Sequence, residues 1–187
     1  NWWGNGVYVD YERGNWSEGL TTFMADYSYK EDESATAASE MRLAWLRDVA
    51  ALDSGQDRPL REFTSRTHGS DQVVGYHKAA MLFVMLRDAI GDDAVQRGIR
   101  LFWQAQRFRS ADWDALRAAF EQASGRSLET FFAQWLSRPG APHPRITRAI
   151  AHGNRATRLT LELAQAAPAY ALHLPVHIVF PDRSETR

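Results

Sequence analysis

A mainly α-helical chain that gives way to a few strands near its end is predicted by three observations. Apolar residues recur at three- and four-residue spacing in successive segments up to about residue 137. These segments are punctuated by capping and stop signals at Asn15 or Ser17, Gly91, Ser110-Ala111-Asp112, Gly125 and Ser127. Beyond Arg138-Pro139-Gly140-Ala141-Pro142-His143-Pro144 the periodicity changes to the two-residue alternation of a strand. The expected division is a helical part over 1–144 and a β-rich part over 145–187.

Val7 to Tyr11 has partial strand character, and Glu12 to Asn15 reads as a turn. A helix is predicted over Asn15 to Tyr27. On it Glu18, Thr22 and Asp26 stand near one face, while Leu20, Phe23, Met24 and Tyr27 cover the adjoining one. Polar Tyr29 to Glu33 ends it or begins a loop. A second helix is expected over Thr36 to Leu52, with Met41, Ala44, Trp45, Val49 and Leu52 inward. Asp53 to Pro59 is turn-rich, and no periodicity is evident from there to Asp71. Helices follow over Tyr76–Ile90 and Asp93–Gln106. Two more carry Trp113, Leu116 and Phe120, then Leu128, Phe131, Phe132, Trp135 and Leu136. Thr157 to Leu163 is read as one strand, and Tyr170 to Phe180 as a second with an edge or break at Pro175.

Of the 187 residues, 44% are hydrophobic and 24% charged, which fits a globular fold. A net charge of −1 supplies no field for nucleic acid, and the local group Arg97, Arg100, Arg107 and Arg109 lacks the basic excess that would change this. The chain has no Cys, so thiol chemistry and Cys-ligated metal are excluded. No apolar run is long enough to span a bilayer, and the compartment is left open.

Taken alone, Glu18 is either a metal ligand with polar groups behind it or an ordinary acid in a first helical turn. Tyr76 is either an oxyanion donor or a packed tyrosine at a helix start. His173 and His177 lie four apart, a ligand spacing only on a helix, and surface positions suit them better in a strand. Trp2-Trp3 reads as core packing rather than a stacking platform.

Two motifs bring a resemblance. Asn1-Trp2-Trp3-Gly4-Asn5 followed by Asn15-Trp16-Ser17-Glu18-Gly19, and then Val74-Gly75-Tyr76-His77-Lys78-Ala79-Ala80, resemble the zinc aminopeptidases of family M1. These are gluzincins with a thermolysin-like catalytic domain. The resemblance extends to about residue 180. It implies the C-terminal helical part of that domain followed by the truncated start of a β-sandwich-like domain. It implies Glu18 as the third protein ligand of a zinc ion, and Tyr76 as the residue that stabilises the tetrahedral intermediate. H-E-x-x-H is not found in the chain; it would end just before Asn1, with a His-to-Glu interval one residue shorter than usual. Ser17 stands where the family usually has Asn, and Ala79 where it has Gly. Lys78 receives no reaction role.

The resemblance implies a parent enzyme that hydrolyses N-terminal peptide bonds by zinc-activated water. Its partners are a peptide substrate, an upstream H-E-x-x-H segment and the rest of the β domain. The fragment alone is expected to be inactive and to lack tight zinc binding, since two ligands and the general base are missing. Unpartnered apolar strands can lead to instability, strand pairing between copies or an ordered dimer. Competing readings are a related gluzincin endopeptidase and a non-catalytic M1-like scaffold or protein-interaction domain.

Overall fold

The computed structural model describes residues 2–53, 55–153, 158–179 and 184–186. They fall into two compact units, residues 1–141 and 142–187.

The first unit is helical. Its only strands among the described residues are β1 (Tyr8–Val9) and β2 (Ser110–Ala111), paired in parallel. The first helical run joins α1 (Ser17–Thr22), a π-helical segment Phe23–Tyr27 and α2 (Ser28–Glu33) without a break. Tyr29 to Glu33 is therefore helix rather than loop. The run stops at Ser34, whose backbone is extended and whose hydroxyl accepts from Ala37 N–H at 3.0 Å, starting α3 (Ala35–Ala50). Trp45 is buried as expected and Ala38 joins it, but Ala44 is exposed. Ala is small enough to be tolerated on either face, which makes it a poor marker of the inward one.

The segment without periodicity carries a short 3-10 turn, Leu60–Glu62, and the buried side chains of Leu60 and Phe63. The helix expected to open at Tyr76 opens at Gly69 instead. It comprises α4 (Gly69–Gln72), a second π-helical segment Val73–Lys78 and α5 (Ala79–Ile90). The earlier start is fixed by Asp71, whose carboxylate accepts from Thr67 N–H and His68 N–H at 2.8 and 2.9 Å. Arg58 pairs with the same carboxylate.

α6 (Asp92–Gln106) and α7 (Trp113–Ser124) pack where Gly98 meets the ring of Phe120; a Cβ on Gly98 would lie 2.3 Å from that ring. Asp112 caps α7 by accepting from Ala115 N–H at 2.8 Å, and Gly125 ends it in the left-handed conformation at φ 67°. α8 (Glu129–Ser137) is not capped by Ser127. Glu121 reaches across from α7 to accept Leu128 N–H at 2.7 Å. The core is aromatic: Trp16 lies edge-on to Phe102 at 5.0 Å and donates its indole N–H to Ala111 C=O at 2.8 Å. Burying each such side chain contributes about 1.5–3 kcal/mol.

The second unit contains two antiparallel pairs. β3 (Arg145–His152) pairs with β4 (Arg158–Ala164), and β5 (His177–Val179) with β6 (Ser184–Thr186). β3 has only partial alternation, broken by an irregularity between Ile146 and Arg148, and was not expected from the sequence. The strand expected over Tyr170 to Phe180 is confined to His177–Val179, downstream of Pro175. Thr157 and Phe180 lie outside the described residues. Among the described residues, no helix is long and apolar enough to cross a membrane.

Candidate metal-ligand and oxyanion site

Glu18 sits in the first turn of α1, half-buried, between the buried residues Ser17 and Gly19. The start of this helix is held by Asn15. Its Oδ1 accepts from both Ser17 N–H (3.0 Å) and Ser17 Oγ–H (2.8 Å). Asn15 N–H donates to Phe63 C=O at 2.7 Å, and Nδ2 donates to Thr64 C=O at 2.9 Å. Ser17, at the family's usual Asn position, is thus absorbed into a tie between the Glu18 helix and the segment leading to Tyr76.

Tyr76 lies inside the second π-helical segment, not at a helix start. Such widened turns are frequent at functional sites. Phe63 packs edge-on to its ring at 6.2 Å. Phe63 fits only because residue 75 is glycine: a Cβ there would fall 2.1 Å from the Phe63 ring. The Tyr76 phenol is pushed above its ordinary value by burial first, then by the negative charge and hydrogen bonding of Glu18. The π-helical segment that carries Tyr76 packs against α1, which carries Glu18. Arg66 opposes this shift more weakly; its guanidinium donates to Gln72 Oε1 at 3.3 Å, one helical turn before Tyr76.

The two helices meet at Gly19 and Ala79. A Cβ on Gly19 would lie 2.3 Å from the Ala79 methyl and 3.0 Å from its carbonyl carbon. Ala79, where the family pattern usually has Gly, fills the space that glycine leaves.

Neighbouring groups play other parts. Lys78 is buried and donates to Asp57 Oδ1 at 2.8 Å, while the second oxygen of Asp57 accepts from Gly140 N–H. Its ammonium is committed to this pair. His77 stacks on Trp45, and its Nδ1 lies 2.8 Å from Asp48 Oδ2 without hydrogen-bond alignment. Burial outweighs Asp48 and holds the imidazole below its usual value. Thr22 is buried behind Glu18, but Asp26 is exposed and does not extend the polar face inward. Trp3 is buried as expected; Trp2 is 63% exposed and lies against Trp103 at 4.7 Å. These tryptophans, with Thr21, Met24 and Ile99, line a groove of about 470 Å³ that includes neither Glu18 nor Tyr76.

Among the described residues, no three His, Cys, Asp or Glu side chains cluster in a way that could hold a metal ion. Glu18, half-buried on α1, belongs to no such cluster. Phe63 escaped sequence reasoning because it acts through its backbone carbonyl and ring packing in a segment without periodicity, and Asn15, read as a cap, also ties that cap to Phe63 and Thr64.

The sequence profile described as the Peptidase family M1 domain matches residues 1–135. The chain belongs to peptidase family M1. Aminopeptidase N of Haemophilus influenzae is 27% identical over 199 residues, covering 100% of this chain and 22% of that protein. Aminopeptidase N of Escherichia coli is 27% identical and covers 96% of this chain and 21% of its own length. The chain thus spans about one fifth of these relatives. In fold it is similar to a two-domain M1 zinc metallopeptidase bound to L-tryptophan, with a TM-score of 0.62 at 23% identity, over 76% of this chain and 32% of the other. An M1 zinc metallopeptidase from Deinococcus radiodurans bound to a Tyr-Ser-Ala substrate gives a TM-score of 0.60 at 22% identity, with the same coverage of both chains.

Proposed function

We propose that the helical unit belongs to the catalytic domain of a zinc aminopeptidase, where Glu18 is a metal ligand and Tyr76 the oxyanion donor. The observation that supports this reading is the packing of α1, which carries Glu18, on the helical run that carries Tyr76, at Gly19 and Ala79, in a chain of this family. No H-E-x-x-H occurs among these 187 residues, and this reading assigns the remaining ligands and the general base to an H-E-x-x-H segment of the parent enzyme. Zinc, when bound, supplies Lewis-acid activation of water and of the peptide carbonyl.

Glu18 fits a ligand role: its carboxylate is partly accessible, and the helix carrying it is anchored by Asn15. Tyr76 keeps its proton through neutral and mildly alkaline pH, because burial and Glu18 both disfavour the phenolate. It can therefore donate O–H to the substrate carbonyl oxygen as negative charge develops there. That bond strengthens toward the transition state, so it acts on turnover more than on substrate binding. The substrate class is the N-terminal end of a peptide, which rests on the names of the relatives.

The second unit is read as the first strands of a β-rich domain. Its exposed Ile146, Leu163 and Val179 are the surface that the rest of such a domain, or a second copy, would cover.

The test is made in the polypeptide that joins this chain to an H-E-x-x-H helix. Glu18→Gln should lose bound zinc, measured by metal analysis after dialysis. Tyr76→Phe should keep zinc at wild-type stoichiometry while kcat on an aminoacyl anilide falls about 10²-fold or more and KM changes little. Full turnover by Tyr76→Phe would sink its assignment, undiminished zinc in Glu18→Gln would sink Glu18 as a ligand, and a wild-type polypeptide that holds no zinc would favour a non-catalytic scaffold.

A further inference from the structure

Phe63 belongs to the segment without periodicity, yet it is only 1% exposed and is held at both backbone and ring. Its N–H donates to Leu60 C=O at 3.2 Å, and its C=O accepts from Asn15 N–H at 2.7 Å. The next carbonyl, that of Thr64, accepts from Asn15 Nδ2 at 2.9 Å. The ring ends on Gly75: a Cβ there would lie 2.1, 2.3 and 2.4 Å from the three atoms at the ring tip. The same ring meets Tyr76 edge to face, with centroids 6.2 Å apart and planes at 73°. Tyr76 itself is half-buried, so this ring forms a wall on one side of a side chain that is partly open to solvent.

We propose that Phe63 is a positioning residue for Tyr76: its ring, seated on Gly75, fixes the direction in which the phenol points. The inference rests on the reading of Tyr76 as the oxyanion donor and needs no particular distance from Glu18. A donor aimed at developing charge must be held in place, because a misplacement of about 1 Å can cost about 10²-fold in rate. Two torsions set where the phenol oxygen of a tyrosine lies, and an edge-to-face neighbour restrains both. The wall has no slack. Asn15 clamps the backbone on which the Phe63 ring is mounted, and the ring tip rests on the Gly75 backbone. Gly75 is helical, a conformation in which alanine is ordinarily the more stable residue. Here an alanine methyl would push the ring tip aside, so a loss at this position reports on the Phe63 ring. A Phe63 that only filled the core would matter to stability alone. A positioning Phe63 matters to turnover as well, and only through the Tyr76 O–H.

The experiment is a double-mutant cycle in the polypeptide that joins this chain to an H-E-x-x-H helix, with kcat and KM measured on an aminoacyl anilide. Phe63→Leu should lower kcat about 2- to 10-fold, with KM little changed and zinc at wild-type stoichiometry. Phe120→Leu, the same change at another fully buried ring, should leave kcat as it is. In the Tyr76→Phe background, adding Phe63→Leu should lower kcat no further, because the group it positions is gone. A further fall of the same size would overturn the inference, since Phe63 would then act on the fold at large. If Tyr76→Phe keeps full turnover, the oxyanion reading is wrong and the positioning falls with it. If Tyr76→Phe loses turnover while Phe63→Leu keeps it, only the positioning falls. Should Phe63→Leu not fold, judged by far-ultraviolet circular dichroism, Gly75→Ala takes its place in the cycle with the same expected outcomes. A readout independent of activity needs no variant. In the wild-type 187-residue chain, NMR should show cross-relaxation between the ring protons of Phe63 and Tyr76, and its absence would overturn the inference.

Discussion

In the helical unit Trp16, Trp113, Phe102 and Phe120 are each at most 1% exposed, whereas in the strand unit Ile146 and Leu163 keep 64% and 51% of their surface. Both regions carry apolar periodicity, clear in the helices and in β4 and partial in β3. What differs is whether the apolar face has something to pack on. The helices bury theirs against each other and against the β1–β2 pair. Two-stranded pairs have too few strands to form a core of their own. Periodicity thus reports which face is apolar, and burial depends on a partner that the pattern does not name.

The sharpest way to break this contrast is a pair of truncations. Trp16→Ala removes a fully buried indole and one of the two donors to Ala111 C=O, leaving Asp10 N–H at 3.0 Å. It should destabilise the helical unit by about 3–5 kcal/mol, read from urea unfolding at 222 nm. Leu163→Ser in the strand unit should stay within about 0.5 kcal/mol. Comparable losses from the two variants would mean that the strand unit has a core after all.

A second contrast sets a buried ion pair beside an exposed one. Lys78 and Asp57 side chains are 8% and 9% exposed, while Arg148 and Glu162, paired at 3.2 Å, are 60% and 51% exposed. Lys78→Met strands a buried carboxylate and should cost about 3–5 kcal/mol, much of it recovered in Lys78→Met/Asp57→Leu. Glu162→Gln should cost less than about 1 kcal/mol. If the double variant is no more stable than Lys78→Met alone, the cost lies in Asp57's bond to Gly140 N–H rather than in the unpaired charge.

The same comparison shows what could be read from the chain. The helices of α5 to α7 were legible because large apolar residues recur at helical spacing and Asp112 and Gly125 mark the ends of α7. The start at Gly69 was not, because its signal is Asp71 folding back on Thr67 and His68, a polar cap without an apolar period. β3 was missed since Arg145, Thr147 and Arg148 interrupt its alternation. Glu18 and Tyr76 were singled out through motif resemblance, since neither spacing nor composition would have joined residues so far apart in sequence. The packing around the segments that carry them turns on small residues, Gly19 against Ala79 and Gly75 against Phe63. A missing side chain gives no pattern to read until its neighbours are known.

The smallest expected effect is on pH dependence. Arg87 holds the Glu31 carboxylate below its ordinary range through a bidentate pair, against the opposing effect of burial. Arg61, with Arg13 and Arg117, does the same for Asp114. Both are carboxylates with a folded value lower than the unfolded one. Each therefore stabilises the fold fully above its unfolded value, and that stability is lost as pH falls through the folded one. Starting from ordinary values of 4.5 for Glu31 and 3.8 for Asp114, the helical unit should begin to weaken below about pH 4.5 and continue to do so at lower pH. Glu31→Gln/Asp114→Asn should be less stable than the wild type at neutral pH, yet lose less on acidification, so that the two stability curves converge as pH falls. Parallel curves would show that these two arginine-bound carboxylates are not what ties the helical unit to pH. Acid sensitivity that sets in already below pH 6.5 would point to His77, because burial opposes its protonation and its contribution, full above its ordinary value of 6.5, is lost as pH falls below it.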